Sequence, residues 1–154
     1  GKVNPSLLQI MLKEEYFNKP SPKSTGPDFF NLEWVKNTID KNGEEVKPED
    51  LQSTLLELTV MSLTKELKSL GVISDGLYFC GGGIHNKSLM KRIEKELGFR
   101  ILTTADIGVD PDYLEATSFA WFAAQRIKGR KFDLSKVTGS NREVFLGVIT
   151  EPAI

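Results

Sequence analysis

The sequence has one cysteine, one histidine, no long apolar run and no basic cluster, and each scarcity removes a class of function. Cys80 has no second cysteine to pair with, so no disulfide framework can staple the chain, and a reduced, cytoplasmic setting is expected. One His and one Cys cannot assemble the usual zinc sites by themselves. A catalytic pair of Cys80 and His85 has the right residue types. Cys80, however, sits in the most apolar strand and reads as a buried strand residue rather than an activated thiol. No apolar stretch approaches the ~20 residues needed to span a bilayer, and the opening residues do not read as a secretory signal. The 20 basic and 21 acidic residues leave a formal charge of −1. Neither nucleic acid nor a membrane surface is therefore an expected partner, since both require a concentrated positive patch. There is no internal repeat and no low-complexity tract.

What remains is an ordinary globular composition, 40% apolar and 27% charged over 154 residues. A chain of this length buries roughly 68–70% of its unfolded surface, so one domain is the default. The first residue is Gly1 rather than Met, and a helix follows with no preamble, which points to a piece of a longer protein. Asn4-Pro5 reads as a cap with proline at the first helical position, and Leu7, Leu8, Met11 and Leu12 recur at helical spacing. A proline-rich connection over residues 18–28 is too polar and broken to form a core element. Asn31 can cap a short helix with Leu32, Val35 and Ile39 on one side. Pro48 opens the longest helix, ending near Leu70 with Gly71 as its stop. Its apolar stripe is wide enough to be covered on more than one side. A strand over Leu77–Cys80, a helix over Lys87–Leu97 closed by Gly98, and a strand over Phe99–Leu102 follow. A helix capped by Asp110-Pro111 then runs to about Ile127, and a strand over Val144–Ile149 ends the series. This alternation predicts an α/β fold with a mostly parallel sheet flanked by helices.

The chain is organised around Leu77-Tyr78-Phe79-Cys80-Gly81-Gly82-Gly83-Ile84-His85-Asn86. One glycine would suffice for a tight strand-to-helix turn. Three in a row remove every side chain from the approach, which favours a ligand lying against backbone. Gly81, Gly82, Gly83 and the capping Asn86 are thus candidate nucleotide or phosphate contacts. The dinucleotide fingerprint lacks its third glycine here, and no GxxxxGK[ST] loop is present. Thr104 and Asp106 follow a strand, where ligands bind in open α/β sheets. Asp106 suits a sugar hydroxyl or a metal-bound water, and equally a cap of the next turn. The segment over residues 112–124 is apolar or small nearly all round, which predicts a buried helix. Glu115 is its only carboxylate beyond the opening cap, with a functional role and a structural ion pair both open. Lys23, Ser24 and Thr25 offer an ammonium and two hydroxyls in one loop, suited to a polar or anionic ligand or to plain turn chemistry.

Taken together, these stretches resemble the C-terminal half of anhydro-N-acetylmuramic acid kinase, a bacterial sugar-kinase family. The resemblance rests on Pro22-Lys23-Ser24-Thr25-Gly26 with Phe30-Asn31, on Cys80–Asn86 with Leu89-Met90, and on Thr103-Thr104-Ala105-Asp106 with Gly108. Pro111–Ala116 with Phe119-Ala120-Trp121, and Thr138-Gly139, complete it in the family's order. It implies one lobe of the actin-like (ribonuclease H-like) ATPase fold, with ATP in a cleft between two lobes and Gly81, Gly82, Gly83 and Asn86 against the adenosine. It also implies ATP and Mg2+ as cofactors, and a reaction in which water opens the 1,6-anhydro ring while the 6-oxygen receives the γ-phosphoryl group. The family's general-base aspartate lies in an Asp-Thr-Gly-Pro-Gly-Asn motif upstream of this chain, so no catalytic residue and no metal ligand is assigned within it. The chain is expected to hold part of an ATP site without turnover. Pro27-Asp28 departs from the basic residue expected after the glycine. The partners implied are a nucleotide and an anhydro amino sugar, with a homodimer as a possible assembly. A non-catalytic actin-like lobe serving assembly or regulation, and a complete small nucleotide-binding domain, are the alternatives.

Overall fold

The computed structural model describes residues 1–21, 23–71 and 76–150, so Pro22 of the proline-rich connection lies outside it. The first helix, α1 (Pro5–Leu12), begins as its sequence dictates: the Asn4 side chain accepts from the Leu7 N–H and proline occupies the first turn. Asn31 caps α2 (Leu32–Asn42) in the same way through the Trp34 N–H, and Gly43 ends it in the left-handed region. The long helix α3 (Pro48–Ser69) packs on α1 with its first half and on α4 (Lys87–Leu97) with its second.

Two cores result, and α3 is shared between them. Leu7, Leu8, Met11 and Leu58 form the first, with Trp34, Ile39, Leu51 and Leu55 around it. Val60, Ile93 and Ile101 form the second, joined by Leu63, Leu77, Phe79, Leu89 and Met90. Burying each such aliphatic side chain contributes about 1.5–3 kcal/mol. The α3–α4 seam is also tied by Arg92, whose guanidinium reaches Glu57 Oε2 at 2.7 Å and Ser53 Oγ at 3.0 Å. Polar side chains hide on α3 where hydroxyls bond back along the helix: Thr54 donates to Asp50 O at 2.7 Å and Thr64 to Val60 O at 2.8 Å. Some residues read as part of the apolar stripes are outside the cores, Leu32 at 78% and Leu70 at 64% exposure among them.

The strands are shorter and more divided than the alternation predicts. β1 (Tyr78–Phe79) and β2 (Leu102–Thr103) pair in parallel, Tyr78 opposite Leu102 and Phe79 opposite Thr103. Together with α4 they form a βαβ unit. β3 (Lys131–Phe132) and β4 (Val144–Phe145) pair antiparallel in a separate sheet. The expectation of one mostly parallel sheet is corrected accordingly. β1 stops before Cys80 because the chain turns at Gly81 to bond another loop, and Cys80 is exposed rather than buried. The strand expected over Val144–Ile149 stops at Phe145; Gly147 takes φ +101° and its carbonyl accepts from Arg126 Nε at 3.1 Å.

The helix α5 (Leu114–Ile127) departs furthest from its sequence pattern. Its expected burial is not found: among the described residues Gln125 is its buried side chain, while Phe119 is 63% and Trp121 47% exposed. A helix apolar all round is buried only where something covers each face. Here the β3–β4 pair covers one side, through Trp121 against Phe132 at 5.3 Å between ring centroids. A last short helix, α6 (Ser135–Thr138), precedes β4. No helix among the described residues is long and apolar enough to cross a membrane.

Candidate functional site

Parallel pairing places the C-terminal ends of β1 and β2 on one edge of the unit, so the two turns that follow them are neighbours. After β1 the chain enters the glycine turn. Gly81 adopts φ +78°, a conformation that suits glycine alone, and its N–H donates to Pro111 O at 2.9 Å. A short 3-10 turn over Gly82–His85 intervenes before α4, so the strand does not run straight into the helix. Asn86 caps α4 as expected, its Oδ1 accepting from the Leu89 N–H at 3.0 Å. That bond uses the carbonyl end of the side chain and leaves the amide end as a donor. A Cβ added at Gly81 or Gly82 would meet no atom within 4 Å, and one at Gly83 only the Leu89 side chain at 3.7 Å. The backbone of the turn is therefore bare on its outer side.

After β2 comes the turn over Thr104–Ile107. Asp106 Oδ2 accepts from the Thr103 N–H at 2.7 Å and from its hydroxyl at 3.1 Å, so Asp106 closes a capping box from the turn's third position, with Thr103 as the cap. The backbone N–H of Thr103 is the main reason its carboxyl is held below the usual aspartate value, followed by the Thr103 hydroxyl. Thr104 is buried, and its hydroxyl has no protein partner among the described residues. Gly108 then leads into the loop at residues 109–113. There the Asp110 side chain accepts from the Asp112 N–H at 2.9 Å. This local turn delays α5 to Leu114, so Asp110 is not its cap.

His85 meets that loop. Its Nε2 lies 2.8 Å from Asp112 Oδ1 and 3.0 Å from Oδ2. The ring is engaged by Asp112, across 27 residues of sequence, rather than by Cys80. The pairing of Gly81 with Pro111 and of His85 with Asp112 escaped sequence reasoning. The lone histidine beside the glycines was the available signal, but nothing in residue spacing names its partner. Glu115, expected to be buried, is exposed in the first turn of α5, where the helix dipole favours its charge.

Lys23, Ser24 and Thr25 lie elsewhere. Lys23 Nζ reaches Glu66 Oε1 on α3 at 2.6 Å and sits 5.2 Å from the centre of the Tyr16 ring. That hydrogen bond lowers the Glu66 carboxyl below its usual value, ahead of the other contributions. Ser24 is exposed, and Thr25 lines a cavity with Phe30 and Trp34. A larger groove of about 820 Å³ runs along α3 past Tyr16, Phe17, Lys23 and Glu66, and the glycine turn is not part of its wall. The glycine turn thus meets the loop that opens α5, Asp106 stands on the turn after the paired strand, and the Lys23 loop is fixed to the helical part.

Known proteins match this sequence along nearly its whole length. A family model described as Anhydro-N-acetylmuramic acid kinase covers residues 1–152. An anhydro-N-acetylmuramic acid kinase of Coxiella burnetii (strain Dugway 5J108-111) is 41% identical over 152 residues, covering 97% of this chain and 40% of the relative. Its counterpart in Pseudomonas syringae pv. syringae (strain B728a) is 43% identical over 150 residues, with 97% and 41% covered. The protein of the same name in Actinobacillus pleuropneumoniae serotype 7 (strain AP76) is 44% identical over 151 residues, again with 97% and 41% covered. This chain spans about two-fifths of the length of these curated relatives. With a family model spanning nearly every residue and identities above two in five, the chain belongs to the anhydro-N-acetylmuramic acid kinase family.

Proposed function

We propose that this chain is the ATP-facing, C-terminal lobe of an actin-like sugar kinase that opens 1,6-anhydro-N-acetylmuramic acid and delivers N-acetylmuramic acid 6-phosphate. The relatives' names carry the kinase and the anhydro amino sugar. The single observation that carries the site is the bare glycine turn at the C-terminal edge of a parallel strand pair. Side chains at Gly81 and Gly82 would fill open space that a flat ligand needs, so the residues present fit an adenosine.

ATP, when bound with Mg2+, supplies the phosphoryl group and the charge neutralisation that its transfer requires. This chain's residues do the positioning. Gly81, Gly82 and Gly83 form a wall of backbone, and the Asn86 amide is a donor at its far end. Asp106, Thr104 and Glu115 stand on elements adjoining that wall and are proposed as cleft residues; Lys23, Ser24 and Thr25 are proposed as substrate-side groups. No three His, Cys, Asp or Glu side chains among the described residues converge as metal ligands. Mg2+ would enter with the nucleotide, and no protein ligand for it is named here. The base that activates water is assigned to sequence upstream of this chain, which makes the isolated chain a partial site.

The test incubates the full-length protein with 1,6-anhydro-N-acetylmuramic acid, Mg·ATP and oxygen-labelled water. The expected product is the 6-phosphate carrying labelled oxygen at the anomeric carbon. Absence of product, together with no ATP binding by the full-length protein or by this chain, refutes the reading.

A further inference from the structure

We propose that His85 and Asp112 are a positioning pair that fixes the glycine turn against the 109–113 loop and so sets the width of the nucleotide site. The proposal rests on the ATP reading above. Side-chain packing does not fix the turn at Gly81 and Gly82, where a Cβ would have nothing within 4 Å. Two sets of hydrogen bonds instead reach from the turn across to one loop. Gly81 N–H donates to Pro111 O at 2.9 Å at the start of the 3-10 turn. His85 spans both oxygens of Asp112, at 2.8 and 3.0 Å, at the turn's other end. A turn pinned at both ends cannot hinge about either one.

The receiving loop is itself stiffened. Asp110 accepts from the Asp112 N–H at 2.9 Å through its side chain and from the Tyr113 N–H at 3.2 Å through its carbonyl. On the opposite side Asn86 secures the turn to α4. The side chains of His85 and Asp112 are 63% and 48% exposed. Such an exposed pair adds little to folding stability. Its consequence is geometric: it sets where the bare backbone of Gly82 and Gly83 stands relative to the residues that open α5.

The experiment uses the full-length protein with His85→Ala, Asp112→Ala and the double variant. Each single change should raise the KM for ATP about two- to fivefold, the range an exposed pair allows. The kcat and the melting temperature should stay as in the wild type, the mark of lost binding without lost transition-state contact. The double variant should be no worse than the worse single one, because one interaction is removed only once. His85→Gln, which keeps an N–H donor, should recover part of the loss. An unchanged KM in both single variants, or additive losses, overturns the pair. Should the wild type bind no Mg·ATP, the nucleotide reading is what fails, and amide exchange at Gly82, Gly83 and Ile84 decides the pair instead. Faster exchange in His85→Ala supports it; unchanged exchange overturns it.

Discussion

Replacing Gly82 by leucine separates the needs of the fold from the needs of the ligand. At Gly82 an added Cβ meets nothing within 4 Å, and the residue is not among the glycines with positive φ. Leucine there should change stability by no more than about 0.5 kcal/mol, the usual range for surface positions. Gly81 is the contrasting neighbour, with the same open surroundings but φ +78°. Alanine at Gly81 forces a side chain into an extended positive-φ conformation, ψ 174°, that is essentially confined to glycine, at about 1–3 kcal/mol. In a domain of this size that lowers the melting temperature by about 2–4 °C per kcal/mol. If adenosine lies on the turn, the Gly82→Leu side chain occupies its place, and the nucleotide must retreat from the backbone. A loss of at least about tenfold in affinity, or roughly 1.4 kcal/mol, is expected. Calorimetry with Mg·ATP and thermal melts on the full-length protein provide both numbers. A Gly82→Leu variant with unchanged melting and unchanged ATP affinity would refute the turn as a nucleotide wall.

Two further outcomes follow from the packing and charges. Ile93→Ala, at a fully buried site in the second core, should cost about 2–5 kcal/mol in denaturant unfolding, whereas Phe119→Ser on the exposed side of α5 should stay within about 0.5 kcal/mol in this chain. Glu66→Gln should destabilise the chain at neutral pH by leaving Lys23, whose side chain is 11% exposed, without its carboxylate. Because that carboxyl is held below its usual value, its stabilising contribution is complete above the unfolded glutamate value of about 4.3 and disappears as pH falls through the lower folded value. Melts of wild type and Glu66→Gln should therefore converge at acid pH; a constant gap would contradict the assignment.

Much of the helical framework was legible because its signals are local. Asn4, Asn31 and Asn86 each cap the helix that the residue pattern assigns to them, and Gly98 closes α4 in the left-handed region. The double coverage of α3 was legible in the width of its stripe. What failed was non-local. The composition of α5 says that it can be buried, but not whether a surface exists to cover it, and Phe119 is exposed as a result. At the site, the glycines announced bare backbone, and of the two readings open for Asp106 the local one has its counterpart in the capping box with Thr103, both from residues adjacent in sequence. The bonds from Gly81 to Pro111 and from His85 to Asp112 depend on how two loops meet, which no periodicity encodes.

The central claim, that the glycine turn faces the adenosine of ATP, is tested most directly by photolabelling the full-length protein with an azido group on the adenine ring. Trypsin cuts after Lys68 and Lys87, so the turn lies within a single peptide of residues 69–87. The label should fall on that peptide and be displaced by excess Mg·ATP. Displaceable label confined to other peptides, with residues 69–87 unmodified, would contradict the account.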